Sequence, residues 1–356
     1  MMRVGINGFG RIGRLVLRSI IENKRDIDVV AINNLTDVST SSFLLKYDSI
    51  HGSLKNQVIY SEDDILSVNG HYIHMSHNKN IEDIDWKKNN VDIVIECTGK
   101  FNNFYDLSKH FIKNTNLKKI ILSAPGKNVN SIIYGINHNK IYDNNIISAS
   151  SCTTNCLAPI VKIIDDNYYL QNGFMTTIHS YTSDQRLLDN SHKDLRRARS
   201  ATNSIIPTKT GANKAIGEIF PHLDGKIDGI SIRVPTQNVS MIEFVFTTKK
   251  NITIDDINNY IIDYSKNKFK NILDYTYEPL VSCDFNHNPH SCIVDLSLTK
   301  VLNNTMGKIT AWYDNEWGFA NRICDIIEYI QDNDINNIIF EDKPLHFYEG
   351  PAFDEI

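Results

Sequence analysis

Arg3-Val4-Gly5-Ile6-Asn7-Gly8-Phe9-Gly10-Arg11-Ile12-Gly13-Arg14 leads directly into Leu15-Val16-Leu17-Arg18-Ser19-Ile20-Ile21. The opening residues predict a buried strand and the closing ones an amphipathic helix. Gly8, Gly10 and Gly13 therefore spell G-x-G-x-x-G where the pattern carries meaning, with a strand before it and a helix after it. Glycine there permits a tight turn and lets backbone amides approach a pyrophosphate at the helix N-terminus. A purely structural strand-turn-helix could use the same residues. The next apolar run, Asp28 to Asn34, predicts the second strand. Its end lies about 20 residues beyond the motif, where a ribose-binding acid normally sits. Asn34 stands there instead; an amide can hydrogen-bond a ribose but cannot repel a 2′-phosphate.

Val91 to Gly99 and Lys118 to Gly126 again read as strands ending in small-residue turns, with a helix expected over Leu107 to Asn116. Alternating strands and helices predict an α/β fold with a Rossmann-type, doubly wound parallel sheet. Cys97, at a strand end, reads as packing rather than chemistry.

The chain has 356 residues, 41% hydrophobic and 22% charged, with a net charge of −5. Those values suit a globular protein of two domains or one large one, and give no hint of a nucleic-acid-binding surface. No run of about 18 apolar residues suggests a membrane span. Met1 to Ile6 passes straight into a strand without the apolar region of a signal peptide. Cysteines 97, 152, 156, 283, 292 and 324 show neither zinc-like nor disulfide-framework spacing, so no metal is expected and a cytoplasmic location is.

Ser148-Ala149-Ser150-Ser151-Cys152-Thr153-Thr154-Asn155-Cys156 follows the strand-like Asn145-Ile146-Ile147 and precedes an apolar periodic segment. That order puts Cys152 at a strand-to-helix turn, in a positive field that favours a thiolate nucleophile. A buried, inert cysteine is the competing reading. Beyond it the pattern changes to strands of period two. Gly173 to Thr182 runs through His179, and a polar segment with Arg186, Arg196, Arg197 and Arg199 follows without clear periodicity. Such a stretch is either functional or a solvated face. Strands over 230–235, 239–247, 292–296 and 307–312, and a helix over 254–267, predict an α+β domain with a mostly antiparallel sheet. A last helix, 319–330, places Ile323, Ile326, Ile327 and Ile330 on one face for docking onto the first domain.

Asn-Gly-Phe-Gly-Arg-Ile-Gly-Arg at 7–14, Ser-Cys-Thr-Thr-Asn-Cys at 151–156, Arg-Arg-Ala-Arg at 196–199, Thr-Gly-Ala-Asn-Lys-Ala at 210–215 and Trp-Tyr-Asp-Asn-Glu-Trp-Gly at 312–318 together resemble phosphorylating glyceraldehyde-3-phosphate dehydrogenase. The match runs in register from about residue 2 to residue 330. The resemblance implies a dinucleotide-binding domain over 1–151 completed by a helix at 316–331, a catalytic domain over 152–315, and an additional tail over 332–356. It implies NAD as cofactor, glyceraldehyde 3-phosphate and inorganic phosphate as substrates, and a homotetramer. Cys152 would be the nucleophile and His179 its base. Thr182 and Arg233 would hold the substrate phosphate, and Ser151, Thr153, Arg197, Thr210 and Gly211 the attacking one. Gly8, Gly10, Arg11, Ile12, Gly13, Asn34 and Ser123 would bind the dinucleotide, with Asn315 on the nicotinamide carboxamide.

Two departures bear on the cofactor. Asn34 replaces the acid of NAD-specific members, and Asn190-Ser191 stands where those members carry Leu-Pro. Both imply that NADP is also usable. Asp284-Phe285-Asn286-His287 with Pro289-His290 resembles the erythrose-4-phosphate dehydrogenase branch, which is the alternative substrate reading. A non-catalytic binding role on the same scaffold is the alternative of a different class.

Overall fold

The computed structural model describes residues 1–55 and 57–334. In chain order the strands are β1 (Arg3–Asn7), β2 (Asp28–Asn33), β3 (Tyr47–Asp48), β4 (Gly52–Ser53), β5 (Ile59–Glu62), β6 (Ile65–Val68), β7 (His71–Ser76), β8 (Ile93–Glu96), β9 (Lys119–Leu122), β10 (Asn130–Ser131) and β11 (Ile146–Ser148). There follow β12 (Leu170–Ser180), β13 (Ile206–Thr208), β14 (Ile227–Val234), β15 (Ser240–Thr248), β16 (Leu273–Thr276), β17 (Cys292–Asp295), β18 (Lys300–Leu302) and β19 (Met306–Tyr313). The α-helices are α1 (Arg11–Glu22), α2 (Val38–Lys46), α3 (Phe104–Ser108), α4 (Cys152–Tyr168), α5 (Ala212–Ile219), α6 (Ile254–Lys266) and α7 (Trp317–Asp334).

Nine strands form the first sheet, in the order β10-β11-β9-β8-β1-β2-β7-β6-β5. It is parallel from β10 to β7, and β6 and β5 extend it antiparallel. The central strands β1, β8 and β9 bury their apolar side chains on both faces, as parallel sheets require. The edge strand β5 and the nearby β7 alternate exposed and covered residues, with Tyr60 and Tyr72 outward. The second sheet runs β13-β14-β12-β15-β19-β17-β16 with β18 on β19. Only β12/β14 and β16/β17 are parallel pairs; the others are antiparallel. The fold is thus a Rossmann-type parallel sheet joined to a mostly antiparallel catalytic sheet.

Each sheet has its own core. Ile6, Ile32, Ile95 and Ile121 pack with Leu15 and Val16 of α1 and with Phe319, Ile323, Ile327 and Ile330 of α7. The C-terminal helix therefore returns to the first sheet with its apolar stripe inward. Ile160, Val161 and Ile164 of α4 pack on Ile242, Phe244 and Phe246 of β15. The helix expected over 107–116 is displaced. α3 starts at Phe104, capped by the Asn103 side chain, which accepts the Asp106 amide at 2.9 Å. It gives way to a 3₁₀ turn at Lys109–Phe111, where the Asn114 side-chain Nδ2 donates to the His110 carbonyl at 2.7 Å. The tail aromatics Phe340, Phe347, Tyr348 and Phe353 lie outside the described residues.

Candidate active site

Cys152 is the first residue of α4. Ser151 is its N-cap, with a side-chain oxygen that accepts the Thr154 amide at 3.1 Å. The strand β11 enters this turn through Ser150, whose φ of +61° lies in the left-handed region that a non-glycine residue adopts at a cost. His179 comes from β12, and its Nε2 lies 3.6 Å from Cys152 Sγ. Neither neighbour is close in sequence; the strand-to-helix turn and the adjacent sheet bring them together. Tyr313 of β19 stands edge-on to the His179 ring at 6.0 Å. Its hydroxyl hydrogen-bonds those of Thr153 at 2.9 Å and Thr177 at 2.8 Å, which ties α4, β12 and β19 into one frame.

Burial raises the Cys152 thiol above its ordinary value, against the opposing pull of Arg233 and of the hydrogen bonds at the helix start. Burial, then Arg233, lowers His179 to about 3. Desolvation favours the uncharged form of both groups, while Arg233 and the hydrogen bonds at the helix start pull the thiol toward thiolate.

Arg233 of β14 is the register partner of His179 across the parallel β12/β14 pair. Its Nη1 lies 2.8 Å from His179 Nδ1 and donates to the Ser180 carbonyl at 3.0 Å. Its Nε is buried and has no hydrogen-bond partner among the described residues. Arg197 Nε donates to the Thr208 hydroxyl at 3.0 Å on β13, beside the strand of Arg233, and its Nη1 pairs with Asp184 at 2.6 Å. Of the other arginines in this segment, Arg196 and Arg199 are exposed, so the solvated-face reading holds for them. Gly211 is the N-cap of α5 and carries no capping side chain, and the Thr210 hydroxyl accepts the Ala212 amide at 3.2 Å. The Ser151 and Thr153 hydroxyls are already engaged with Thr154 and Tyr313. Thr182 lines an open cavity of about 450 Å³ together with Arg11, Ser49, Gln185 and Gln237.

A second cavity, of about 210 Å³, opens over the C-terminal ends of β1, β2 and β8, lined by Gly8, Gly10, Asn33, Asn34, Lys79 and Lys100 among others. Gly8 has φ +91°, and a Cβ there would come 2.7 Å from the Thr98 nitrogen. A Cβ on Gly13 would come 2.3 Å from the Gly8 carbonyl oxygen. No side chain caps α1 at Gly10, so the first-turn amides of Arg11, Ile12 and Gly13 are open to an anion. This cradle fits a dinucleotide pyrophosphate. Asn34 Oδ1 accepts the Phe9 amide at 3.3 Å, and its Nδ2 donates to Ser41 at 3.3 Å. Ser123 donates to the Glu96 carbonyl at 2.9 Å, and Asn315 Oδ1 accepts the Ser240 hydroxyl at 2.9 Å, which assigns the amide orientation.

Arg11 departs from expectation. Its guanidinium bonds Asp48 at 2.5 Å and also pairs with Glu316, so only its backbone amide is left for a cofactor. The sequence reading also missed a buried chain beneath the cavity. Asn7 Nδ2 donates to Glu96 at 2.5 Å, and Asn33 Nδ2 donates to Asn7 Oδ1 at 2.8 Å. The available signal was three polar residues closing three otherwise apolar strands.

Residues 151–315 match the family model described as glyceraldehyde 3-phosphate dehydrogenase, C-terminal domain, and residues 2–104 match its NAD binding domain. The chain is 47% identical over 335 residues to glyceraldehyde-3-phosphate dehydrogenase 2 of Trichormus variabilis, covering 93% of this chain and 98% of the relative. It is 48% identical over 329 residues to the chromosomal glyceraldehyde-3-phosphate dehydrogenase of Cupriavidus necator, covering 91% and 97%. It is 46% identical over 333 residues to glyceraldehyde-3-phosphate dehydrogenase of Geobacillus stearothermophilus, covering 92% and 98%.

Proposed function

The chain belongs to the glyceraldehyde-3-phosphate dehydrogenase family, and on that premise we propose how its own residues carry the oxidation. It is an NAD-dependent oxidoreductase whose substrate is glyceraldehyde 3-phosphate. The observation that carries the proposal is Cys152 Sγ facing His179 Nε2 at 3.6 Å at the start of α4. His179 takes the thiol proton, and Sγ attacks the aldehyde carbon to give a hemithioacetal. The Cys152 backbone amide and the His179 ring stabilise its oxyanion. NAD, when bound, supplies the hydride acceptor. The open amides of α1 would hold its pyrophosphate, Asn34 its ribose, and Asn315 its carboxamide. Loss of hydride leaves an acyl thioester on Cys152, which inorganic phosphate cleaves to 1,3-bisphosphoglycerate. The thioester retains the free energy of oxidation that direct hydrolysis would lose.

Arg233 and Thr182 hold the substrate phosphate; Arg197, Thr210 and Gly211, with the first amides of α4, hold the attacking one. A planar guanidinium suits both roles because its N–H fork meets two phosphate oxygens at once. The division into a dinucleotide unit (1–151 with 316–331) and a catalytic unit (152–315) is supported by the two separate sheets. NADP use is supported by Asn34 and Ser191 in place of excluding residues, with Lys79 and Lys100 on the cavity rim. A homotetramer is supported by Leu187, Leu188, Leu195 and Ile205, large apolar side chains left outward in a polar segment. Six free thiols support a reducing compartment such as the cytoplasm. Among the described residues no helix is long and apolar enough to cross a membrane.

Asn286 and His287, the residues that resemble the erythrose-4-phosphate branch, are engaged at the junction of the sheets. Asn286 donates to the Ile50 carbonyl, and His287 stacks on Trp317. That placement favours glyceraldehyde 3-phosphate. The test is the initial rate of NADH formation from glyceraldehyde 3-phosphate with and without inorganic phosphate, and with erythrose 4-phosphate in parallel. A fast, phosphate-dependent rate on the three-carbon aldehyde is expected. Faster, phosphate-independent oxidation of erythrose 4-phosphate would overturn the ranking.

A further inference from the structure

The last residues of four strands stand in one row beneath the cavity over β1, β2 and β8. Register pairs Glu96 of β8 with Asn7 of β1, Asn7 with Asn33 of β2, and Asn33 with Ser76 of β7. Their side chains form a directed chain of hydrogen bonds. It starts from a donor that cannot turn over, the Asn78 backbone amide, which donates to Asn33 Oδ1 at 2.9 Å; the Ser76 hydroxyl joins it there at 2.9 Å. Asn33 must therefore present Nδ2 to Asn7 Oδ1 at 2.8 Å, and Asn7 its own Nδ2 to Glu96 at 2.5 Å. A second branch arrives from the other side. The Trp86 indole can only donate, and it meets His110 Nδ1 at 3.0 Å. The His110 hydrogen therefore sits on Nε2, 3.4 Å from the same Glu96 oxygen. The Thr98 amide and hydroxyl donate to the other oxygen at 2.7 and 2.5 Å. Glu96 is fully buried, and both branches end on it.

We propose that Glu96 is a positioning residue for the dinucleotide: its carboxylate, which only accepts hydrogens, sets the direction of the whole row and so holds three walls of the cavity. The inference rests on the reading above that this cavity takes the dinucleotide. Thr98, Asn33 and Asn78 all line it, the last beside Lys79. Thr98 is the segment that Gly8 abuts, since a Cβ at Gly8 would come 2.7 Å from the Thr98 nitrogen. Asn33 grips Asn78 by both backbone groups, because its Nδ2 also donates to the Asn78 carbonyl at 3.0 Å. A glutamine in place of Glu96 keeps the shape but sets one NH₂ against that of Asn7. Asn7 can turn over to relieve the conflict, and Asn33 must then turn as well. The conflict finally meets the Asn78 backbone amide, which cannot turn and is left without its acceptor. The loss is therefore felt at the cavity rim, three side chains away from the substitution. Among the described residues no member of the row hydrogen-bonds Cys152 or His179, so the aldehyde side is left as it is.

Glu96→Gln in the full-length enzyme tests this. NAD binding, followed by fluorescence titration, should weaken about tenfold or more and the KM for NAD should rise to match, while kcat at saturating NAD and the KM for glyceraldehyde 3-phosphate stay within about twofold. Combining Glu96→Gln with Asn7→Asp moves the carboxylate one place along the row. It then accepts from both the glutamine and Asn33, and the Asn78 end is restored. NAD affinity should return to within about threefold of the wild type. A residue that merely fills space predicts neither the loss nor the rescue. Ser76→Ala removes one donor at the half-buried end of the row and leaves the buried part intact, so it serves where Glu96→Gln does not fold. It should weaken NAD binding about threefold with kcat unchanged. Lys79→Glu puts a carboxylate on the cavity rim without entering the row, and should weaken NAD binding wherever the cavity holds the anionic dinucleotide. Unchanged NAD affinity in Lys79→Glu overturns the cavity reading. Affinity weakened there but unchanged in Glu96→Gln, or in Ser76→Ala where that variant stands in, overturns the positioning role alone, as does a double variant no better than Glu96→Gln.

Discussion

Replacing Cys152 by serine keeps the size of the side chain and removes the soft nucleophile. Cys152→Ser should lower phosphate-dependent NADH formation by about a thousandfold or more while NAD binding, followed by fluorescence titration, is retained. Near-normal turnover would remove the thioester from the mechanism. At Asn34 the amide can hold a ribose hydroxyl but carries no charge to exclude a 2′-phosphate. The wild type should use NADP within about tenfold of NAD in kcat/KM, and Asn34→Asp should widen the preference for NAD by about tenfold or more. A wild-type preference for NAD beyond about a thousandfold would end this reading of Asn34 and Ser191.

At the scale of the element, two turns carry the site. In the first, Gly13 faces the Gly8 carbonyl so closely that any Cβ meets it. Gly13→Ala should push α1 away from β1, weaken NAD binding by about tenfold or more and lower the melting temperature. Unchanged cofactor affinity would show that the turn has slack. In the second, Ser151 caps α4 from outside the reacting atoms. Ser151→Ala should cost about 1 kcal/mol of stability in urea unfolding.

Across the whole molecule, a clasp of charges ties the start of α7 to the dinucleotide unit and reaches the catalytic unit at His287. Arg11 bridges Asp48 and Glu316, and His51 reaches both His287 and Glu316. At Asp48, burial opposes ionisation, but the amides of His51 and Ile50 and the Arg11 guanidinium outweigh it and hold the carboxyl at about 2. A folded value below the unfolded one binds fewer protons in the native state. The contribution is therefore complete above the ordinary carboxylate value and is lost as pH falls through about 2. Asp48→Asn should be less stable than wild type near neutrality and should lose less stability on acidification over that window. Parallel acid-unfolding curves for the two proteins would remove Asp48 from the clasp.

From the letters alone the parallel first sheet, the glycine turn, Cys152 at a helix start and the inward stripe of α7 were legible. Each depends on local spacing and periodicity, which the chain states directly. The strands β5 to β7 were not legible, because short strands with polar residues interleaved carry no long apolar run. The early end of α3 was hidden because the 3₁₀ turn at Lys109–Phe111 that closes it has no marker in the local sequence. Sequence motifs proposed both Arg11 and Arg233 as ligand-binding residues, but only the folded chain showed what each side chain is already holding. Asp48 and Glu316 claim one, and His179 the other, through contacts between residues that are 37, 305 and 54 positions apart. The pairing of Cys152 with His179 likewise came from the tertiary structure. A helix start is written in the local sequence, whereas the burial of the pair exists only once α4 and β12 pack together.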